Sequence, residues 1–289
     1  MTTGSRAAGL ARDDDDRTPA CRYRFRAGEG LVSTVGVPAA AGPEPVAAAD
    51  SWLVANGRVR ALDRHQFRFG RACAAAGRTR PGRAPGPDDL AEFWSAVVAR
   101  LPRTGCWFPR VELAGPGRPE LRLLVRPAPP LRTTARLWLG DTADRRRAPR
   151  RKGPDLHRLT ALRDRAVAAG ADDALLTTPG GVVLEGATTS LLWWEDGRLC
   201  LPAPGLRTLP GITSGLLTDR ARELGIPVVR RRVTVAGLAG REMWAVNALH
   251  GLRPVTGWDD SGAGPGAATR APAWRRWLQE ASALLPSTL

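Results

Sequence analysis

The chain has 289 residues, enough to bury a substantial core and to form one large or two smaller domains. With 43% hydrophobic and 25% charged residues it is neither a fibrous nor a disordered chain. A formal charge of +15 and a sequence pI near 11.4 would attract nucleic acid or an acidic membrane surface. The arginines are scattered, however, with no aromatic-basic pattern and no zinc, helix-turn-helix or RNA-recognition signature.

The opening residues, MTTGSRAAGLARDDDD, are polar and acidic, and residues 1–25 read as a disordered tail. No signal-peptide run or membrane-length apolar stretch is visible, so a cytoplasmic protein is expected. Between Leu31 and Val59 short apolar runs predict strands, with Asn56-Gly57 as a hairpin turn. Helices are predicted from Asp63 onward and over PDDLAEFWSAVVARLP. CWFPRVEL, ELRLLVRP and TARLWLG read as strands of a first α+β domain, residues 26–130, and residues 141–151 as an exposed connection.

The second domain, residues 131–289, opens with the helix PDLHRLTALRDRAVAAG, capped by Gly170. Strands DALLTT, VVLE, TSLLWW and RLCLP follow, punctuated by Gly180-Gly181 and Asp196-Gly197 turns. LPGITSGLLTDRARELG predicts a glycine turn into a helix, PVVRRRVTV and MWAVNAL two more strands, and APAWRRWLQEASALL a final helix. Cys21, Cys73, Cys106 and Cys200 lie far apart with no CxxC, and the three histidines are dispersed, so neither a disulfide framework nor a metal site follows.

Lys152, in RRAPRRKGP, is the only lysine among 43 basic residues. Arginine replaces lysine on a solvated surface but stays protonated, so it cannot attack a carbonyl as a neutral amine. Two readings stand at this point: a chance survivor in a basic loop, or a reactive amine. Arg150 and Arg151 favour the second if they face it, because neighbouring cations lower an amine's pKa.

Downstream, ADDALL at 171–176, Glu185 in VVLEGATTSLLWW, LPGIT at 209–213 and WAVNALHGLRPV at 244–255 occur in order. Together with Lys152 they resemble the fold-type IV pyridoxal 5'-phosphate (PLP) enzymes, which include branched-chain and D-amino-acid aminotransferases and aminodeoxychorismate lyases. The resemblance implies an α+β fold of two α/β domains with the cofactor between them, and a homodimer whose sites are completed by the neighbouring subunit. It implies that Lys152 holds PLP as a Schiff base and moves the substrate's α proton. Glu185 would then face the pyridine nitrogen and keep it protonated.

Gly211, Ile212 and Thr213 would bind the phosphate at a helix start, where free backbone N–H groups and the helix dipole favour an anion. Backbone groups of Asn247 and Ala248 would line its other side. LDRHQFRF at 62–69 resembles the family's L-x-x-H-x-x-R-L and makes Arg68 a phosphate ligand. DSWLVANGRV resembles E-T-x-x-V-x-x-G-x-V and places the Ser51 hydroxyl toward substrate, while LLVRPAP makes Arg126 a candidate for a substrate carboxylate.

Ser190 and Leu192 stand where the family's E-x-x-x-x-N-x-F motif has asparagine and phenylalanine, so the resemblance implies different hydrogen bonding beneath the cofactor, where Ser190 can still donate and accept. His157 lies where some relatives carry a tyrosine that supports the cofactor's phenolic oxygen, and is a candidate for that place. The expectation is an aminotransferase acting between an amino acid and a 2-oxo acid. The alternatives are an aminodeoxychorismate lyase and, from another class, a basic nucleic-acid-binding protein on a degenerate PLP-enzyme fold.

Overall fold

The computed structural model describes residues 20–34, 44–79, 84–140, 143–258 and 264–287; the expected acidic tail up to residue 19 lies outside them. In chain order the first half contains β1 (Cys21–Arg26), β2 (Gly30–Ser33), β3 (Val46–Ser51), β4 (Val54–Ala55), β5 (Arg58–Val59), α1 (Leu62–Thr79), α2 (Pro87–Arg100), β6 (Cys106–Trp107), β7 (Arg110–Ala114) and β8 (Glu120–Val125). There follow β9 (Ala135–Trp138), α3 (Leu156–Ala168), β10 (Asp173–Thr177), β11 (Val183–Gly186), β12 (Ser190–Glu195), β13 (Arg198–Pro202), α4 (Ile212–Glu223) and β14 (Val228–Arg231). The chain continues through β15 (Met243–Asn247), β16 (Gly251–Gly257), α5 (Ala271–Glu280) and β17 (Ala283–Leu284).

The first sheet has the order β2-β1-β8-β7-β3. Its pleat sends Val111, Leu121, Leu123 and Val125 to one face, where α1 and α2 add Phe69, Cys73, Phe93 and Val97 to a common core. Asp50 lies opposite Val111 and so shares that face. The structure corrects the tail boundary here, because residues 21–25 belong to β1 and pair with β2 and β8. The predicted Asn56-Gly57 hairpin joins β4 and β5, and β17 pairs onto β5.

The second sheet has the order β11-β10-β9-β16-β15-β12-β13-β14. Val183 N donates to Val233 O at 2.8 Å, and Val182 bridges Thr234, so the sheet's first edge is tied back to the chain beyond β14. One face encloses Leu175, Val183, Leu191, Trp193, Met243 and Val255. The other carries α4 and α5 on Leu192, Trp194 and Trp244, where Trp194, Trp244 and Trp274 meet at ring-centroid distances of 5.4–5.7 Å.

TARLWLG, expected in the first domain, supplies β9 to this second sheet, pairing in parallel with β10 and β16. An isolated apolar run predicts a strand but does not say which sheet will accept it. GLRPVTG forms β16 as a further strand, hairpinned to β15. Residues 141–151 are not simply an exposed connection: residues 141–142 lie outside the described set, and Arg146 and Pro149 are buried.

Candidate active site

β3 is the last strand of its sheet, so its outer edge is available for pairing. Ala49 N donates to Lys152 O at 2.8 Å, which docks the lysine segment on that edge. Gly153 permits the approach: its φ is +141°, and a Cβ there would lie 2.8 Å from Ala48 Cα. The Lys152 side chain is deeply set, although the residue keeps a partial opening to solvent. Burial brings its amine down to about 8; Asp50 opposes that shift, whereas Arg68, Arg110 and Arg126 add to it. The neighbouring Arg150 and Arg151 are not the cations responsible, and Arg150 turns its guanidinium to Pro204 O at 3.1 Å.

Asp50 organises the α1 side of the site. Its Oδ1 accepts from Ser51 N and Arg68 Nη2, both at 2.7 Å, and meets His65 Nδ1 at 2.8 Å; Oδ2 accepts from Arg68 Nε at 2.8 Å. Arg68 and His65 hold this fully buried carboxylate well below its usual range, against the opposing effect of burial. Arg68 Nη1 then donates to Pro210 O at 3.1 Å, immediately before α4. One N–H on each of Nη1 and Nη2 of Arg68 is left without a described partner.

Among the described residues no side chain caps α4 at Gly211, and the first bond within the helix is Gly215 N to Gly211 O. The N–H groups of Ile212, Thr213 and Ser214 are therefore left for an external acceptor. Ser190, at the start of β12, packs its hydroxyl against Gly211, where any Cβ would collide with it. A small polar residue and a glycine thus shape the approach to the free amides.

Glu185 closes the other side. It is buried on β11, and Oε1 accepts from Leu209 N at 2.8 Å and Arg146 Nη1 at 2.5 Å. Oε2 carries no hydrogen bond to a described residue. Burial pushes this carboxyl up to about 7 against the pull of Arg146. Arg146 is itself fixed by Asp144, through Nε at 2.8 Å and Nη2 at 3.1 Å, and by Arg207 O at 3.0 Å.

A family model described as amino-transferase class IV matches residues 47–258. The chain belongs to that family. Its cofactor is PLP, and the fold is the α+β fold of the fold-type IV aminotransferases.

Among solved structures, a fold IV-transaminase from Curtobacterium pusillum has a TM-score of 0.70 at 22% identity, covering 90% of this chain and 97% of that one. A hypothetical aminotransferase from Mycobacterium tuberculosis, in an alpha-ketoglutarate and PMP bound form, has a TM-score of 0.72 at 19% identity over 92% and 99%. A branched-chain aminotransferase from Thermoproteus uzoniensis has a TM-score of 0.72 at 18% identity over 90% and 93%. No curated protein gives a significant match.

The remaining residues expected in this class IV chain fall in different places. Ser51 is buried at the end of β3, cross-strand from Arg110. Arg126 donates from Nε to Phe108 O at 3.1 Å and lies 5.0 Å from the centroid of that ring, leaving its terminal nitrogens without described partners. The Asn247 amide is spent on the turn, donating to Thr188 O and accepting from His250 N. Ala248 O accepts from Leu53 N and Arg60 Nη2, so it ties the two sheets together.

His157 is exposed, on the side of α3 opposite Leu159, Leu162 and Ala166. Sequence reasoning also missed Arg146, Asp50, His65 and Arg110. The pair Arg146-Glu185 had no signal in a basic run, whereas Asp50 stood inside the quoted DSWLVANGRV and could have been found by asking what neutralises Arg68.

Proposed function

We propose that the protein is a PLP-dependent aminotransferase that exchanges an amino group between an amino acid and a 2-oxo acid. The observation that carries this reading is one set of contacts: Lys152 docks on β3, Asp50 of β3 grips Arg68, Arg68 reaches Pro210, and Leu209 reaches Glu185. Three uncapped α4 amides and the remaining Arg68 N–H groups suit a phosphate. Oε2 of Glu185 suits a protonated ring nitrogen.

When bound, the cofactor supplies a ring that accepts an electron pair as the substrate's Cα–H bond breaks. Lys152 Nζ, with a value near 8, accepts that proton and returns it without a large energetic mismatch. Glu185 keeps a proton on the ring nitrogen. The Arg126 fork, free at its terminal nitrogens, holds a substrate carboxylate. We read the protein as a homodimer, since the sites of this family are completed by a neighbouring subunit; light scattering tests that reading.

Purified protein mixed with PLP should turn yellow, and borohydride should fix the cofactor to Lys152. If no adduct forms, or if Lys152→Ala still forms it, the reading fails. The Asn247-Ala248-Leu249 run favours a second reading, pyruvate elimination from aminodeoxychorismate to give 4-aminobenzoate. Pyruvate released with no oxo acid present would support that lyase, whereas a strict requirement for an acceptor would exclude it. A colourless preparation with steeply salt-dependent DNA or RNA binding would instead favour the nucleic-acid reading.

A further inference from the structure

We propose that Asp50 is a positioning residue for phosphate recognition: it sets the angle at which Arg68 meets the uncapped end of α4. This inference rests on the PLP reading above. Asp50 is fully buried, and its carboxylate meets two groups, Ser51 N and His65 Nδ1, besides closing a two-point grip on Arg68. A buried anion is tolerated only when it is paired and hydrogen-bonded. Here the pairing also has a direction.

Both Oδ atoms are engaged by one guanidinium, through Nε and Nη2, and a two-point contact fixes the guanidinium plane as well as its position. With those two nitrogens held, Nη1 is delivered to Pro210 O, one residue before Gly211. The long arginine stem would otherwise sample many rotamers at an entropic cost to binding. Ser51 N and His65 Nδ1 fix the carboxylate in turn, so β3 and α1 jointly aim the phosphate-binding cation. Asp50 also pairs with the Arg68 cation, so an incoming phosphate meets N–H groups already aimed by that pair.

The test compares PLP with pyridoxal, which lacks the phosphate, on wild type and Asp50→Asn. Asparagine keeps the shape but offers one acceptor oxygen where the fork needs two. The PLP dissociation constant, read by absorbance titration, should rise about 30-fold, whereas pyridoxal should change by less than about threefold. Inorganic phosphate should raise the melting temperature of the cofactor-free wild type and lose most of that effect in Asp50→Asn.

Equal weakening of PLP and pyridoxal would mean general damage and overturn the assignment; so would an unchanged PLP affinity. If Asp50→Asn does not fold, Arg68→Lys carries the test, because it keeps the charge and removes the fork. It should show the same PLP-specific loss, and an unchanged PLP affinity would again overturn the proposal. Wild type binding neither PLP nor pyridoxal would sink the functional reading itself, an outcome distinct from these.

Discussion

Replacing Arg146 with methionine removes the cation from a buried pair and leaves Glu185 and Asp144 without their shared partner. Breaking such a pair costs about 3–5 kcal/mol, but the pH dependence is the more specific signature. Glu185 sits at about 7 in the folded protein against an ordinary value of 4.5, so the folded state holds a proton that the unfolded chain releases between those values. The contribution of Glu185 to stability is therefore fullest below 4.5 and falls as pH rises to 7, by roughly 1.4 kcal/mol per unit and about 3 kcal/mol in all.

In the wild type this loss stops near pH 7. Without Arg146, the chief group opposing burial, the carboxyl titrates higher and the loss continues at roughly 1.4 kcal/mol per unit above pH 7. Lys152 titrates in the same range, but in both proteins, so it cancels in the difference. Urea unfolding of the two cofactor-free proteins at half-unit steps from pH 5.5 to 8.5 reads the effect directly. Parallel curves above pH 7 would refute the argument that Arg146 keeps Glu185 ionised.

Two further outcomes follow from the lysine segment. Because burial brings the Lys152 amine from 10.5 to about 8, its neutral fraction rises through pH 8 and then levels off. The rate of PLP attachment, measured by stopped-flow absorbance, should do the same; a rate still climbing steeply at pH 10 would show an ordinary solvated lysine. Gly153→Ala places a side chain at φ +141° against Ala48, so it should cost about 1–3 kcal/mol and lower the yield of borohydride-trapped cofactor. Unchanged unfolding midpoint and yield would show that the β3 docking is not needed.

How much of this was legible depends on whether a residue's role is carried by its own segment. Glu185, Gly211 and Thr213 sit in short stretches whose local conformation, a strand end or a helix start, is set by nearby sequence, and the resemblance could therefore be read from their order. β9 shows the limit: its apolar alternation predicts a strand, but membership of the second sheet is decided by β10 and β16. Arg146 shows it more sharply. It lies in the same run as Arg145, Arg147, Arg150 and Arg151, and nothing in that run distinguishes the arginine that goes inside.

The distinction appears only when the fold brings up Asp144 and Glu185, because a buried guanidinium needs anions and acceptors from distant segments. The same logic reverses the first account of Lys152. Adjacent arginines in sequence suggested its altered amine, yet solvent screens such neighbours. Burial and the cations of α1, β7 and the β8 end act on it instead. Lysine reactivity here belongs to the meeting of two sheets, so substitutions that loosen that meeting should act on the amine even when they leave the RRAPRRKGP run intact.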